Sequence, residues 1–182
     1  DDLVRQGREA EALRHAPREQ KGRQGLEAAV IYGRTPDGGF ALVPDGDGDV
    51  WDPDWPVMMV GWRDGVAYAR WLAERTGQPW RLPVELEWEK AARGVDGRAF
   101  PWGDGFDPSW CAMVASHPAR PTPQRVDTFP VDVSPYGVRG MAGNMRDRCL
   151  EPFEPEGPAV LDHQVVVPDV VRGDGARRAV RG

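Results

Sequence analysis

The sequence predicts an α+β domain rich in long loops. Two stretches, Trp62 to Thr76 and about 84–93, carry helical periodicity with marked ends. Several runs of three or four apolar residues lie between Gly, Pro and Asp, the pattern of short strands. From about 95 to 158 neither period holds, and aromatics recur among Gly, Pro and Asp: Phe100, Trp102, Phe106, Trp110, Phe129, Tyr136 and Phe153. Loops of that length in a compact domain are usually functional or metal-supported. The 22 glycines, 18 prolines and 8 tryptophans among 182 residues point to loops pinned by aromatics, not to a helical bundle. The length suits one domain with a real core, so 1–182 is read as a single domain.

Residues 1–24 read as a helix followed by a polar loop, with Leu3, Val4, Ala10 and Leu13 as a partial stripe and Pro17 as its end. The opening Asp1-Asp2-Leu3 reads as the later part of a helix. Residues 28–56 read as a hairpin: Ala29-Val30-Ile31-Tyr32 and Phe40-Ala41-Leu42-Val43 flank the turn signal Pro36-Asp37-Gly38-Gly39. The acids of Asp45-Gly46-Asp47-Gly48-Asp49 alternate as in a calcium loop. An EF-hand is excluded, because its sixth position is Val50 and its twelfth is Pro56; a solvated turn remains. Val57-Met58-Met59-Val60 is expected as a strand. The helix from Trp62 to Thr76 presents Val66, Ala67, Ala69, Trp71 and Leu72 on one face, and Gly77 closes it.

The second helix has both ends marked. Pro83 suits the first helical position. Glu85 and Glu87 favour the positive end of the dipole, and Lys90 and Arg93 the negative end. Gly94 is placed for a left-handed close. Trp88 is read as a core residue whose loss to Ala costs about 3–5 kcal/mol. Phe100-Pro101-Trp102-Gly103-Asp104 reads as a Trp-Gly turn, residues 154–170 as a variable excursion, and Val165-Val166-Val167 and Val170-Val171-Arg172-Gly173 as late strands.

The charge balance, 23 basic against 29 acidic residues with a net of −6, argues against non-specific nucleic-acid binding. Arg172, Arg177, Arg178 and Arg181 crowd the last segment and read as a solvated tail or as arginines stacked on aromatics. No apolar run is long enough for a bilayer and no export signal is seen, so no membrane partner is expected and a cytoplasmic setting is. Arg far outnumbers Lys, and Ala, Gly and Pro abound, which suggests a bacterial source. Two cysteines, Cys111 and Cys149, make no disulfide framework and read as buried small hydrophobes. His15, His117 and His163 are scattered.

From about Pro56 to Gly173 an ordered series of blocks resembles the formylglycine-generating enzyme (sulfatase-modifying factor) family. The blocks are Pro56-Val57, Val60-Gly61-Trp62-Arg63-Asp64, Tyr68 with Trp71-Leu72, Arg81-Leu82-Pro83, Glu87-Trp88-Glu89, Ala91-Ala92-Arg93-Gly94 and Pro101-Trp102-Gly103-Asp104. Further on come Pro130, Ser134-Pro135-Tyr136-Gly137-Val138, Met141-Ala142-Gly143-Asn144 and Val170-Val171-Arg172-Gly173. The resemblance implies a variant of the C-type lectin fold: two main helices packed on short antiparallel sheets, here without the family's first strands.

It also implies copper-dependent oxidation of a substrate cysteine by two cysteines just beyond an Arg-Gly-Gly-Ser-Trp segment. Here that segment reads Arg172-Gly173-Asp174-Gly175-Ala176-Arg177-Arg178 with no cysteine after it, so no catalytic residue is carried over. A structural calcium site would use the carbonyls of Gly143 and Met145 and the carboxylate of Asp147. Gly140 and Ala112 stand where the family has side-chain oxygen ligands.

The resulting expectation is a non-catalytic module that binds a protein or small molecule. Its model is the variable protein of a diversity-generating retroelement, with Arg146, Arg148, Arg172, Arg177, Arg178 and Arg181 as the binding residues. The alternatives are a copper-dependent oxidoreductase acting on a sulfatase cysteine and a kinase-associated sensor domain.

Overall fold

The computed structural model describes residues 1–17, 31–119, 121–169 and 177–182. The chain divides into two compact units, Asp1–Asp64 and Gly65–Gly182.

The first unit opens with two short helices, α1 (Asp2–Arg5) and α2 (Glu9–His15). The single helix expected there is broken at Gly7, whose φ of +74° no continuous helix accommodates. A hairpin follows. Strands β1 (Tyr32–Arg34) and β2 (Phe40–Leu42) pair antiparallel, with Tyr32 opposite Leu42, around a turn that Gly38 closes at positive φ. Ala29 and Val30, expected in the first strand, lie outside the described residues. Ile31 and Trp51 form the buried apolar centre of this unit.

The acidic repeat is a turn held by one side chain. Asp45 Oδ1 accepts from the backbone N–H of Asp47 (3.0 Å) and Asp49 (2.9 Å), and its Oδ2 accepts from Trp51 Nε1 (3.1 Å). Residues 57–60 do not form a strand, because Met59 turns the backbone to φ +56°. At the end of the unit Asp64 accepts from Gly61 N–H (2.6 Å) and bonds His15 Nδ1 (2.7 Å).

Helix α3 (Trp62–Thr76) runs as expected, and Gly77 ends it at φ +67° with its N–H on the Ala73 carbonyl. Its apolar face is narrower than the sequence suggests. Trp71 is 38% exposed, its ring beside Tyr68 and under the Arg75 guanidinium. Helix α4 (Glu85–Arg93) begins two residues later than Pro83 implies. Val84 is the N-cap, and the Pro83 carbonyl accepts from Leu150 N–H (2.8 Å), so Pro83 serves the sheet and not the helix. Glu87 reaches back to Val84 N–H (3.0 Å), satisfying one orphan donor of the first turn. Gly94 ends α4 at φ +70° and ψ −137°, a glycine-only region outside the left-handed helical well; an added Cβ would also stand 3.0 Å from Pro135.

Strands β3 (Asp147–Pro152) and β6 (Arg178–Arg181) pair antiparallel, with a bulge between Arg148 and Pro152, and α4 packs against both. In α4, its N-cap and the two strands, Val84, Ala92, Cys149, Leu150 and Ala179 are all essentially inaccessible. A second small hairpin, β4 (Val160–Leu161) with β5 (Gln164–Val165), turns through Asp162 and His163 at positive φ. Of the late strands expected, only Val165 is placed in one; Val170 to Gly173 lies outside the described residues.

The long central loops are held by rings and turns. Phe100 stacks on Trp102 (5.2 Å between centroids) and leans on Phe106, and Trp110 meets Trp102 edge-on. Phe100 N–H and the Gly103 carbonyl close the Trp-Gly turn at 2.8 Å, and Asp104 accepts from Ala99 N–H at 2.9 Å. Gly143 and Asn144 lock three loop segments together. Asn144 donates its backbone N–H to the Ala112 carbonyl (2.7 Å), and its amide side chain exchanges two hydrogen bonds with the Gln124 backbone (2.9 and 2.6 Å). Among the described residues no helix is long and apolar enough to cross a membrane.

Candidate ligand-binding face

Period-two alternation sorts the β6 side chains onto two faces. Ala179 and Arg181 turn toward α4. Ala179 is sealed, and Arg181 Nη2 pairs with Glu85 Oε1 at 2.7 Å and Glu89 Oε2 at 3.0 Å. Glu89 is shared with Arg93 (2.9 Å), one turn along α4. Arg181 is therefore an internal clasp between β6 and α4. Arg178 and Val180 face the other way. There they line an open cavity of about 540 Å³ with Arg146, Phe153, Arg177 and Gly182.

Three of the six arginines expected at a binding face thus converge. Arg178 donates from Nη1 to the Leu150 carbonyl (3.2 Å), which fixes its guanidinium at the wall. Among the described residues neither Arg146 nor Arg177 has an ion-pair partner. Arg148 lies across from Val180 in the register of β3 and does not line the cavity. Arg172 lies outside the described residues. The expectation of a solvated tail is corrected here: residues 178–181 are a paired strand with one sealed side chain. The sequence reading missed Phe153 and Val180. The signal was the alternation Arg178-Ala179-Val180-Arg181, which places one apolar side chain on each face.

The residues expected for calcium do not fit a cage. The Gly143 carbonyl accepts from Met145 N–H at 2.7 Å, and Asp147 Oδ2 accepts from Trp88 Nε1 at 2.8 Å. The Met145 carbonyl faces Gly182 so closely that a Cβ there would stand 2.6 Å away. Gly140 and Ala112 add no side-chain oxygen, and the Ala112 carbonyl is already taken by Asn144. Among the described residues no three His, Cys, Asp or Glu side chains are grouped to hold a metal ion.

The thiols are equally unsuited to copper. Both cysteines are free and buried, Cys111 at the end of a 3-10 turn and Cys149 within β3. Burial raises the Cys111 thiol above its ordinary value, with the Asp132 charge adding to it. Burial pushes Cys149 up to about 12, helped by the nearby Glu151 and Glu85 carboxylates. A copper-binding pair needs two thiolates side by side, and these two thiols are buried in separate elements.

The family model described as the Sulfatase-modifying factor enzyme 1-like domain matches residues 41–182. The chain belongs to this family. Within it, the chain is 35% identical over 144 residues to the formylglycine-generating enzyme of Streptomyces coelicolor, covering 71% of this chain and 42% of that protein. The formylglycine-generating enzyme of Thermomonospora curvata is 35% identical over 126 residues, with 63% and 40% covered. The protein of Mus musculus named inactive C-alpha-formylglycine-generating enzyme 2 is 32% identical over 115 residues, with 56% and 34% covered. The chain spans about two fifths or less of the length of these relatives. The family match runs on to Gly182, past Arg172-Gly173. A second Val-Arg-Gly, Val180-Arg181-Gly182, begins within β6, beside β3.

Proposed function

We propose that this stretch of a formylglycine-generating-enzyme-type domain, in the C-type-lectin-like variant of its fold, is a non-catalytic binding module. Its ligand face is the outer side of β6. The observation that carries the reading is the state of the two thiols. Both are buried in separate elements, while three arginines and an exposed ring converge on an open cavity on the outer face of β6. Such a face suits a display scaffold like a retroelement variable protein, whose outward residues change over a constant interior. The test is incubation of the protein with copper(I), oxygen and a cysteine-containing sulfatase peptide, followed by mass spectrometry. The expected outcome is unchanged peptide; conversion of the thiol to the aldehyde would overturn the reading.

A second reading follows from the register of Val180-Arg181-Gly182. If this copy, and not Arg172-Gly173, stands for the Arg-Gly of the family segment, the positions of the cysteine pair come after Gly182. The module would then be the scaffold of a copper-dependent oxidoreductase. The same assay separates the two.

A further inference from the structure

We propose that the cavity on the outer face of β6 docks an acidic peptide segment of a partner protein. The segment would set carboxylates on Arg146 and Arg177, beside the anchored Arg178, and an apolar side chain on Phe153 and Val180. This rests on the binding-module reading and names its ligand class.

The cavity's charge is opposite to that of the chain as a whole. The chain carries a net −6, yet among the described residues the cavity is lined by three arginines and by no Asp or Glu side chain. Guanidinium forks match carboxylates in two-point geometry. The net negative charge elsewhere is screened beyond about 10 Å at 0.1 M salt, so it does not repel a partner held at this face. The cavity also offers apolar surface. Phe153 is 51% exposed and Val180 45% exposed, and both stand among the arginines. A free inorganic anion leaves that surface wet, whereas a peptide with alternating acidic and apolar residues covers both kinds of group.

The cavity wall is also held in place in advance. Arg178 is anchored to the Leu150 carbonyl, and the Arg177 carbonyl accepts from Phe153 N–H at 2.8 Å. Three of the cavity's residues are thereby held by hydrogen bonds to backbone before any ligand arrives, which lowers the ordering cost of binding. Residues of this kind, Arg and large aromatics, are also the usual anchors of interfaces.

The experiment is fluorescence anisotropy with a labelled peptide alternating Asp with Leu and Phe, and a control in which every Asp is Asn. The expected result is binding of the acidic peptide, with the Asn control and the Arg146→Ala/Arg177→Ala double variant each weaker by about tenfold or more. Phe153→Ser should also weaken binding, and all variants should keep the wild-type melting midpoint. Equal binding by wild type and double variant would place the peptide elsewhere and overturn the proposal. Displacement of the peptide by inorganic phosphate or citrate at equal concentration would reduce the face to a simple anion site, and would also overturn it. Turnover of the sulfatase peptide sinks the binding-module reading itself, whereas absent turnover with absent acidic-peptide binding sinks only the ligand class.

Discussion

Gly143 is the position where a single carbon atom matters most. A Cβ built on it stands 2.3 Å from the Ala112 carbonyl oxygen, a backbone atom that cannot swing aside. Gly143→Ala should lower stability by about 1–3 kcal/mol, the usual cost of forced overpacking, read as a shift in the urea midpoint with an unchanged slope. Asn144, next to it, holds φ +64° and two hydrogen bonds to Gln124. Trp88 tells a different story from the one its position suggested. It is half-buried, and its indole N–H reaches Asp147 Oδ2. The full cost of a buried tryptophan therefore does not apply. Trp88→Phe should keep the packing and lose the hydrogen bond, at about 1 kcal/mol, measured by thermal melting.

At the scale of elements, the start of α4 is tied by charge. Arg81 grips Glu87 through both oxygens (2.7 Å each), and Glu87 also caps Val84. The Arg81 hydrogen bonds hold the Glu87 carboxyl below its ordinary value, against a smaller opposing effect of burial. A lowered folded-state value means that this contribution is complete above the ordinary glutamate range. It is lost as pH falls through that range and below it. Both partners are about two fifths exposed, so the contribution stays under about 1 kcal/mol. Glu87→Gln should flatten the acid limb of the stability–pH curve and leave the alkaline limb unchanged. Arg181 belongs to the same element contact. Arg181→Met should destabilise by about 1–3 kcal/mol by stranding the mostly buried Glu85, seen in the melting midpoint. Helix α3, α4 and the first hairpin could be read from the chain because their periodicity, turn residues and end signals are local. β3 and β6 could not. Asp147-Arg148 reads as polar surface, and the pairing that makes residues 178–181 a strand links positions about thirty apart in sequence, which no local pattern reports. The cavity inherits that limit: its arginines were legible as a cluster, but their sorting onto two faces needed the strand.

For the whole molecule, the family assignment and the state of the thiols meet. A chain of this family whose 2 cysteines are both sealed should be inert to thiol reagents when folded. Ellman's reagent at mildly alkaline pH should label neither in native protein and both in denaturant; rapid native labelling of Cys149 would contradict its burial. The division of β6 into an inward and an outward set has a consequence for heritable change. Residues 146, 153, 177 and 180 line the open cavity, whereas Ala179 and Arg181 face the helix. A library randomised at the first set should yield mostly soluble, cooperatively melting clones, and one randomised at 179 and 181 mostly insoluble ones. Variation can then accumulate on one side of a single strand while inheritance of the fold is guarded by the other.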